Sequence, residues 1–328
     1  MTLTRGRPDP LNQPATLTIL VLTVLATSVV AEAATTLRIM PPDGGVLASG
    51  QRFDIRVEAT SDTSDPPHGL RVLVNGRDIT ARNLLEPGAG GERGAGGTGA
   101  NGVDVLPRLR AAPAFRNTTS FLLRGYSMTA AGPLVIDART EDGATATSKL
   151  TVENWSSPGR GARARNIILL LGDGMGVAHR TAARIVSRGF HNGKAAGRLA
   201  MDTMEVTGMV MTGSLNSVIT DSSPGMACYA TGQKNSNNQE GVFPDNTPDP
   251  FDNPRIEYVG ELLRRTRGAG FNVGIVTTAD VTDSTPAANA AHTSDRHAGE
   301  GIAAQFFDER TTNGVTVLMG GGSRHFMP

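Results

Sequence analysis

Two adjacent serines follow an aspartate where the chain reads as a helix start: Asp221-Ser222-Ser223, inside SVITDSSPGMACYATG. A serine there sits beside orphan backbone N–H groups and the positive end of the helix dipole. Phosphate is an anion that such ends bind well. The serine hydroxyl is a poor nucleophile at its ordinary pKa and needs a base or a metal to activate it. No histidine is adjacent and no G-x-S-x-G pattern surrounds Ser222, so metal activation fits better than a triad. Two more aspartates stand where a metal would be held. Asp173 lies in GDGMG, between glycines that permit a sharp turn and close approach to a ligand. Asp283 follows VGIVTTADVT and precedes Thr285-Pro286. At the ends of separate strands, Asp173 and Asp283 can converge on a hard cation or zinc. Asp283 and Thr285, alternate residues of an extended segment, can present oxygens to one hard ion. Each of these residues also has a plain structural reading. Ser222 and Thr285 suit helix caps, with Pro286 at the first helical position, and the aspartates suit turns and caps. Cys228, the only cysteine, reads as a small buried filler.

The elements that must position these groups fall into two patterns. Residues 34–153 read as all-β. Phe53, Ile55 and Val57 alternate with polar residues, as do Val72 and Val74, and Asn75-Gly76 is a hairpin signal because a type I′ turn needs positive φ at both positions. SFLLRGYSM, LVIDART and SKLTVEN add strands, the last two joined by a turn at Asp142-Gly143. Short strands separated by turns predict a small immunoglobulin-like β-sandwich. Within it, the glycine-rich segment 87–102 cannot bury enough apolar surface to order itself, and it reads as a surface loop. Residues 154–165 read as a linker.

Residues 166–328 change pattern. NIILLL is a continuous apolar run, as expected of a strand buried on both faces of a parallel sheet. A helix to about Gly189, a β pattern over residues 206–212, an amphipathic helix over 255–268 and strands at NVGIVTT and GVTVLMGGG follow. The expected fold is an α/β domain with a mainly parallel sheet flanked by helices, its site beyond the carboxyl ends of the strands.

The chain has 328 residues, enough for two domains, and 31 basic against 31 acidic residues leave no formal net charge. Nothing in that balance argues for a nucleic-acid partner. One cysteine excludes an intramolecular disulfide. Arg5 and Arg7, an apolar run over residues 15–30 and Ala31-Glu32-Ala33 form a signal-peptide pattern, with cleavage expected after Ala33. The run is short for a membrane span, the alternative reading. The mature chain is therefore expected outside the cytoplasm, periplasmic or secreted, with no stable membrane anchor.

NIILLLGDGMG, ITDSSPGMACYATGQK, VGIVTTADVTDSTPAANAAHTSDR and VTVLMGGGSRHF, in that order over residues 165–328, resemble the alkaline phosphatase family. The resemblance implies hydrolysis of small-molecule phosphomonoesters through a phosphoserine formed on Ser222. It implies two Zn2+ and one Mg2+, with Asp173 bridging a zinc and the magnesium, Asp283 and Thr285 on the magnesium, and Ser222 on a zinc. Arg296 is implied as the phosphate clamp, its planar fork matching two phosphate oxygens, and Asp221 as a residue that tunes the site. A homodimer is compatible with it. Arg296 follows Thr285 by eleven residues, about 16 Å along a helix, so the helix must end near residues 292–295 and the chain fold back.

The sequence departs from the family where Pro224 and Met226 replace small residues, and the family's later Glu, Asp and His ligands do not follow Arg296. His297 and His325 read as surface or loop residues. The α/β part is thus expected to be C-terminally incomplete, with part of the metal set. Two alternatives stay open. One is a sulfatase of the same superfamily, since Ser222-Ser223-Pro224 resembles the start of its modification motif although Met226 stands where arginine is required. The other is an exported non-catalytic binding protein.

Overall fold

The computed structural model describes residues 35–82, 84–85, 116–154 and 164–327. The signal peptide, the glycine-rich loop 87–102 and most of the linker expected at 154–165 lie outside these residues.

The first part is a two-sheet sandwich. Its strands are β1 (Thr35–Met40), β2 (Val46–Ala48), β3 (Phe53–Ser61), β4 (Arg71–Val74), β5 (Arg77–Asp78), β6 (Leu84–Leu85), β7 (Thr118–Tyr126), β8 (Gly132–Arg139) and β9 (Thr145–Glu153). One sheet runs β1-β3-β7-β6 and the other β2-β9-β8-β4-β5. All pairs are antiparallel except β2 with β9. The hairpin at Asn75-Gly76 has φ of 47° and 78°, the positive values its turn requires. Alternate residues of β3, namely Phe53, Ile55, Val57 and Ala59, meet Val72, Phe121, Leu134 and Ile136 in the core.

The opposite face of β3 is buried as well. Asp54, Arg56 and Glu58 are each no more than 5% exposed, because a hairpin-like segment from the second part of the chain lies over them. Val242 bridges Arg255 and Phe53 bridges Ile256, both antiparallel. Phe243 and Ile256 of that segment complete the sandwich core. Strand alternation alone would leave a polar face such as Asp54-Arg56-Glu58 in water.

The second part contains α1 (Val177–Arg188), β10 (Phe190–His191), β11 (Lys194–Ala195), α2 (Ser222–Thr231), α3 (Val259–Arg267), β12 (Val273–Asp280), α4 (Ser284–Ala287), α5 (Gly299–Asp308), α6 (Arg310–Asn313) and β13 (Val315–Gly321). β12 and β13 pair in parallel and pack on α4 and α5 through Ile275, Ala287, Ile302 and Phe306. Helices with strands in this order make an α/β arrangement.

The expected mainly parallel sheet is corrected here. Among the described residues the sheets are mixed, and β12–β13 is the parallel pair of this part. Residues 166–171 and 206–212 form no strand. A strand is defined by its hydrogen-bonded neighbour, and neither run has one among the described residues. Ile167, Ile168 and Leu170 are more than 80% exposed, and Met209 and Met211 more than 90%. Apolar content marked these segments for burial, but burial in a sheet depends on partners elsewhere. Among the described residues, no helix is long and apolar enough to cross a membrane.

Candidate active site

Helix α2 begins at Ser222, with Asp221 as its N-cap. The Asp221 carboxylate accepts the Ser223 N–H at 2.7 Å. Ser222 is therefore the first helical residue and not the cap, and its hydroxyl is not used in capping the helix. Ser223 is fully buried. Pro224 sits in the first turn, where its missing N–H costs nothing. Cys228 is half-buried, and burial pushes its thiol pKa up, with Lys234 opposing.

Asp283 likewise caps α4, accepting from the Ser284 N–H at 2.8 Å. This moves the helix start two residues ahead of the Thr285 cap that the Thr-Pro pair predicts. α4 ends at Ala287, earlier than expected, and the chain turns back through His292 to Arg296. Arg296 then reaches both serine and aspartate. Its Nη1 donates to Ser222 Oγ at 3.2 Å and its Nη2 to Asp283 Oδ1 at 2.9 Å. Asp221 Oδ1 lies 3.5 Å from Nη1. Asp173, on the GDGMG turn with Gly174 at φ 63°, accepts from Thr285 Oγ1 at 2.9 Å.

The structure thus forms two adjoining groups: Asp221, Ser222, Asp283 and Arg296 in one, and Asp173 with Thr285 in the other. His297 is exposed and His325 lies 4.0 Å from Asp280, apart from both groups.

Three residues join the site without a signal in their type. Asn237 Oδ1 accepts the Asp221 N–H at 3.3 Å, and the Asn238 N–H donates to Asp221 Oδ2 at 2.6 Å. The Arg296 N–H donates to the Asn238 carbonyl at 3.2 Å, and Asn238 Nδ2 to the Ser294 carbonyl at 3.3 Å. Asn238 has φ 75°, a conformation asparagine tolerates better than most residues. The Asn-Asn pair was the available turn signal. Glu240 is paired by its backbone to Thr293. Its carboxyl is fully buried, with neither oxygen hydrogen-bonded among the described residues. Burial raises its pKa well above the carboxylate range; Arg296 opposes this, and Asp283, Asp221 and Asp295 reinforce it.

Behind these groups, His292 stacks on Tyr258 with ring centroids 4.5 Å apart. Its Nδ1 is 3.0 Å from the Gly241 carbonyl and its Nε2 3.3 Å from Glu261. Burial is the largest influence on Glu261 and works against its ionisation, but His292, the Tyr258 N–H and Arg255 together lower the carboxyl pKa. A cleft of about 480 Å³ opens beside this cluster, lined by Arg52, Arg255, Glu257, Glu261 and His292 among others. Ser222 and Arg296 do not line it.

The donors gathered near Ser222 are carboxylate and hydroxyl oxygens. They suit a hard divalent cation such as magnesium. Among the described residues, no group of three or more His, Cys, Asp or Glu is arranged to hold a metal ion. No imidazole among the described residues joins the set, so the residues present do not fit a zinc pair.

Residues 164–328 match the family model described as alkaline phosphatase. The chain is 37% identical over 204 residues to streptomycin-6-phosphate phosphatase of Streptomyces griseus, covering 56% of this chain and 41% of that protein. It is 32% identical over 180 residues to the human tissue-nonspecific isozyme of alkaline phosphatase, covering 50% and 34%. A solved TAB5 alkaline phosphatase mutant with bound magnesium is similar at 25% identity and a TM-score of 0.35, covering 44% of this chain and 37% of that one. The chain spans less than half the length of these relatives. With the family model matched over half of its length, this chain belongs to the alkaline phosphatase family.

Proposed function

We propose that this chain carries the phosphoryl-accepting half of a metal-dependent phosphomonoesterase, with Ser222 as nucleophile. The observation that carries this reading is the Arg296 guanidinium, which is held within 3.2 Å of the Ser222 hydroxyl and 2.9 Å of Asp283. A phosphomonoester entering at the α2 N-terminus would meet the positive end of the helix dipole and the planar donor fork of Arg296. Ser222 Oγ attacks phosphorus in line with the ester oxygen. The Oγ–P bond forms, the P–O ester bond breaks, and the alcohol leaves with a proton. Water then attacks the phosphoserine, which returns the serine hydroxyl and releases phosphate. Asp283 orients Arg296, and Asp221 holds the helix start and the Asn238 backbone in register.

Asp173, Thr285 and Asp283, with Ser222, are the residues that would hold a divalent cation. A bound cation supplies charge neutralisation and a lowered hydroxyl pKa. The resemblance extends this set to one magnesium and two zinc ions, the latter needing ligands beyond those gathered here. We further read the sandwich as immunoglobulin-like on its two antiparallel-rich sheets, and the mature chain as exported on its N-terminal pattern.

Hydrolysis of p-nitrophenyl phosphate at alkaline pH, abolished by EDTA and by Ser222→Ala, is the expected result. Activity that survives Ser222→Ala would refute the reading.

A further inference from the structure

The sandwich is joined to the two reactive side chains by polar anchors that a tethered domain would not need. Domains linked only by a flexible segment share few contacts. Here the backbone around the start of β3 pairs with residues 255–257: Asp54 N–H donates to the Arg255 carbonyl and Glu257 N–H to the Arg52 carbonyl, both at 2.9 Å. Arg56 Nη1 lies 3.1 Å from Asp245, and Arg124 Nη2 donates to the Asp252 carbonyl at 2.8 Å. These bonds fix the hairpin-like segment over residues 240–257. Its first end is laced to Thr293 at Glu240. Its second end continues into Tyr258, whose hydroxyl donates to the Ala291 carbonyl at 2.7 Å. Both ends therefore hold the return segment that carries Arg296.

One sandwich residue reaches the serine helix too. Gln51 is 4% exposed. Its Nε2 donates to the Thr231 carbonyl and to the Glu257 carbonyl, both at 2.9 Å, and its Oε1 accepts from Ala48 N–H at 2.9 Å. The Thr231 carbonyl is one of the orphan acceptors at the end of α2. Gln233 Nε2 donates back to the Val46 carbonyl of β2. In this cluster α2 contributes Met226, Ala227 and Ala230, packed with Tyr258 and Ala288. A ten-residue helix with so little apolar grip takes much of its placement from such end anchors.

We propose that the sandwich positions the phosphoryl-transfer groups, and that Gln51 is the positioning residue linking it to both the Ser222 helix and the Arg296 segment. This rests on Ser222 and Arg296 being the reacting pair. The linkage itself is mechanical and is read without turnover.

The test is hydrogen exchange by mass spectrometry on the full metal-free chain. Gln51→Met keeps the volume and removes all three bonds. Amides of residues 223 and 225–231 (Pro224 has none) and of residues 293–296 are expected to exchange about tenfold faster, with β3 and β7 at wild-type rates. Unchanged exchange at 293–296, or throughout 223–231, overturns the proposal. Arg124→Met gives a second reading, because it loosens the hairpin tip and does not touch α2. It should speed exchange at 293–296 and leave 223–231 unaltered; wild-type rates at 293–296 in this variant also overturn the proposal. In the magnesium-loaded chain, Gln51→Met should weaken the Kd for inorganic phosphate about tenfold. A reversibly unfolded fraction raises the apparent Kd only by the inverse of the folded fraction, which circular dichroism measures and which is divided out; a Kd unchanged after that correction counts against the proposal. Failure of the exchange test leaves the phosphatase reading standing, and an active Ser222→Ala variant leaves the coupling standing.

Discussion

Arg296 Nη1 lies 3.2 Å from Ser222 Oγ although 74 residues separate them in the chain. The second nitrogen of the same guanidinium is occupied by Asp283. Arg296→Lys keeps the charge and loses the fork. Charge-assisted hydrogen bonds are each worth about 1.5–3 kcal/mol, so phosphate binding should weaken about tenfold to a hundredfold. Titration calorimetry with inorganic phosphate checks this, and affinity equal to wild type would remove Arg296 from the site.

Asp221 caps α2 and accepts from Asn238 N–H as well. Asp221→Ala should destabilise the fold by about 1–2 kcal/mol. The urea midpoint should fall at unchanged slope. Asp221→Asn, which can still accept from Ser223 N–H, should cost less.

Phe243 and Ile256 lie in the sandwich core although they belong to the second part of the chain. Ile256→Ala should cost about 2–5 kcal/mol and Phe243→Ala about 3–5 kcal/mol. Because the core is shared, each variant should lower one common transition, followed by near-UV circular dichroism and by trypsin cleavage after Arg296. Separate transitions for the two readouts would contradict the shared core.

Asp252 is partly buried near Asp245 and Asp249, and burial first, then those neighbours, push its pKa up to about 6. The folded state holds the proton more tightly than the unfolded state. The stabilisation is therefore complete below the unfolded pKa near 4 and is lost as pH rises through about 6. Asp252→Asn should remove this dependence. The stability difference between pH 4 and pH 7 should shrink by about 1–2 kcal/mol after allowance for solvent screening. Urea titrations at both pH values measure it.

Glu240 behaves in the same sense, since burial raises its pKa and both oxygens lack hydrogen-bond partners among the described residues. Glu240→Gln should be neutral or stabilising at pH 8, with the gain over wild type fading as pH falls toward 4. A carboxylate band for Glu240 in difference infrared spectra at pH 7 would show the group ionised and contradict this.

Much of the sandwich was legible because period-two alternation and tight turns are local. β3 shows the limit. Phe53, Ile55 and Val57 declare an inner face, and nothing local announces that Asp54, Arg56 and Glu58 are covered too. That cover comes from residues nearly two hundred positions away. The same holds for residues 166–171, whose composition calls for burial while their pairing depends on neighbours. α5 went unread because Gly299 and Gly301 at its start weaken a helical reading. In the site, Asp173, Asp221, Ser222, Asp283 and Thr285 stood out by residue type beside glycine turns and strand ends. Arg296 entered through the resemblance. Asn237, Asn238 and Glu240 act largely through backbone bonds and burial, which side-chain chemistry does not advertise.

The double burial of β3 also bears on how the protein can be taken apart. Cutting near residues 154–165, between what look like two modules, would take Phe243 and Ile256 out of the sandwich. It would also leave Arg56 and Glu58 without the hairpin that covers them. Neither piece would inherit a finished surface. The sandwich is therefore a poor candidate for transplantation, and expression trials should keep residues 35–257 on one polypeptide.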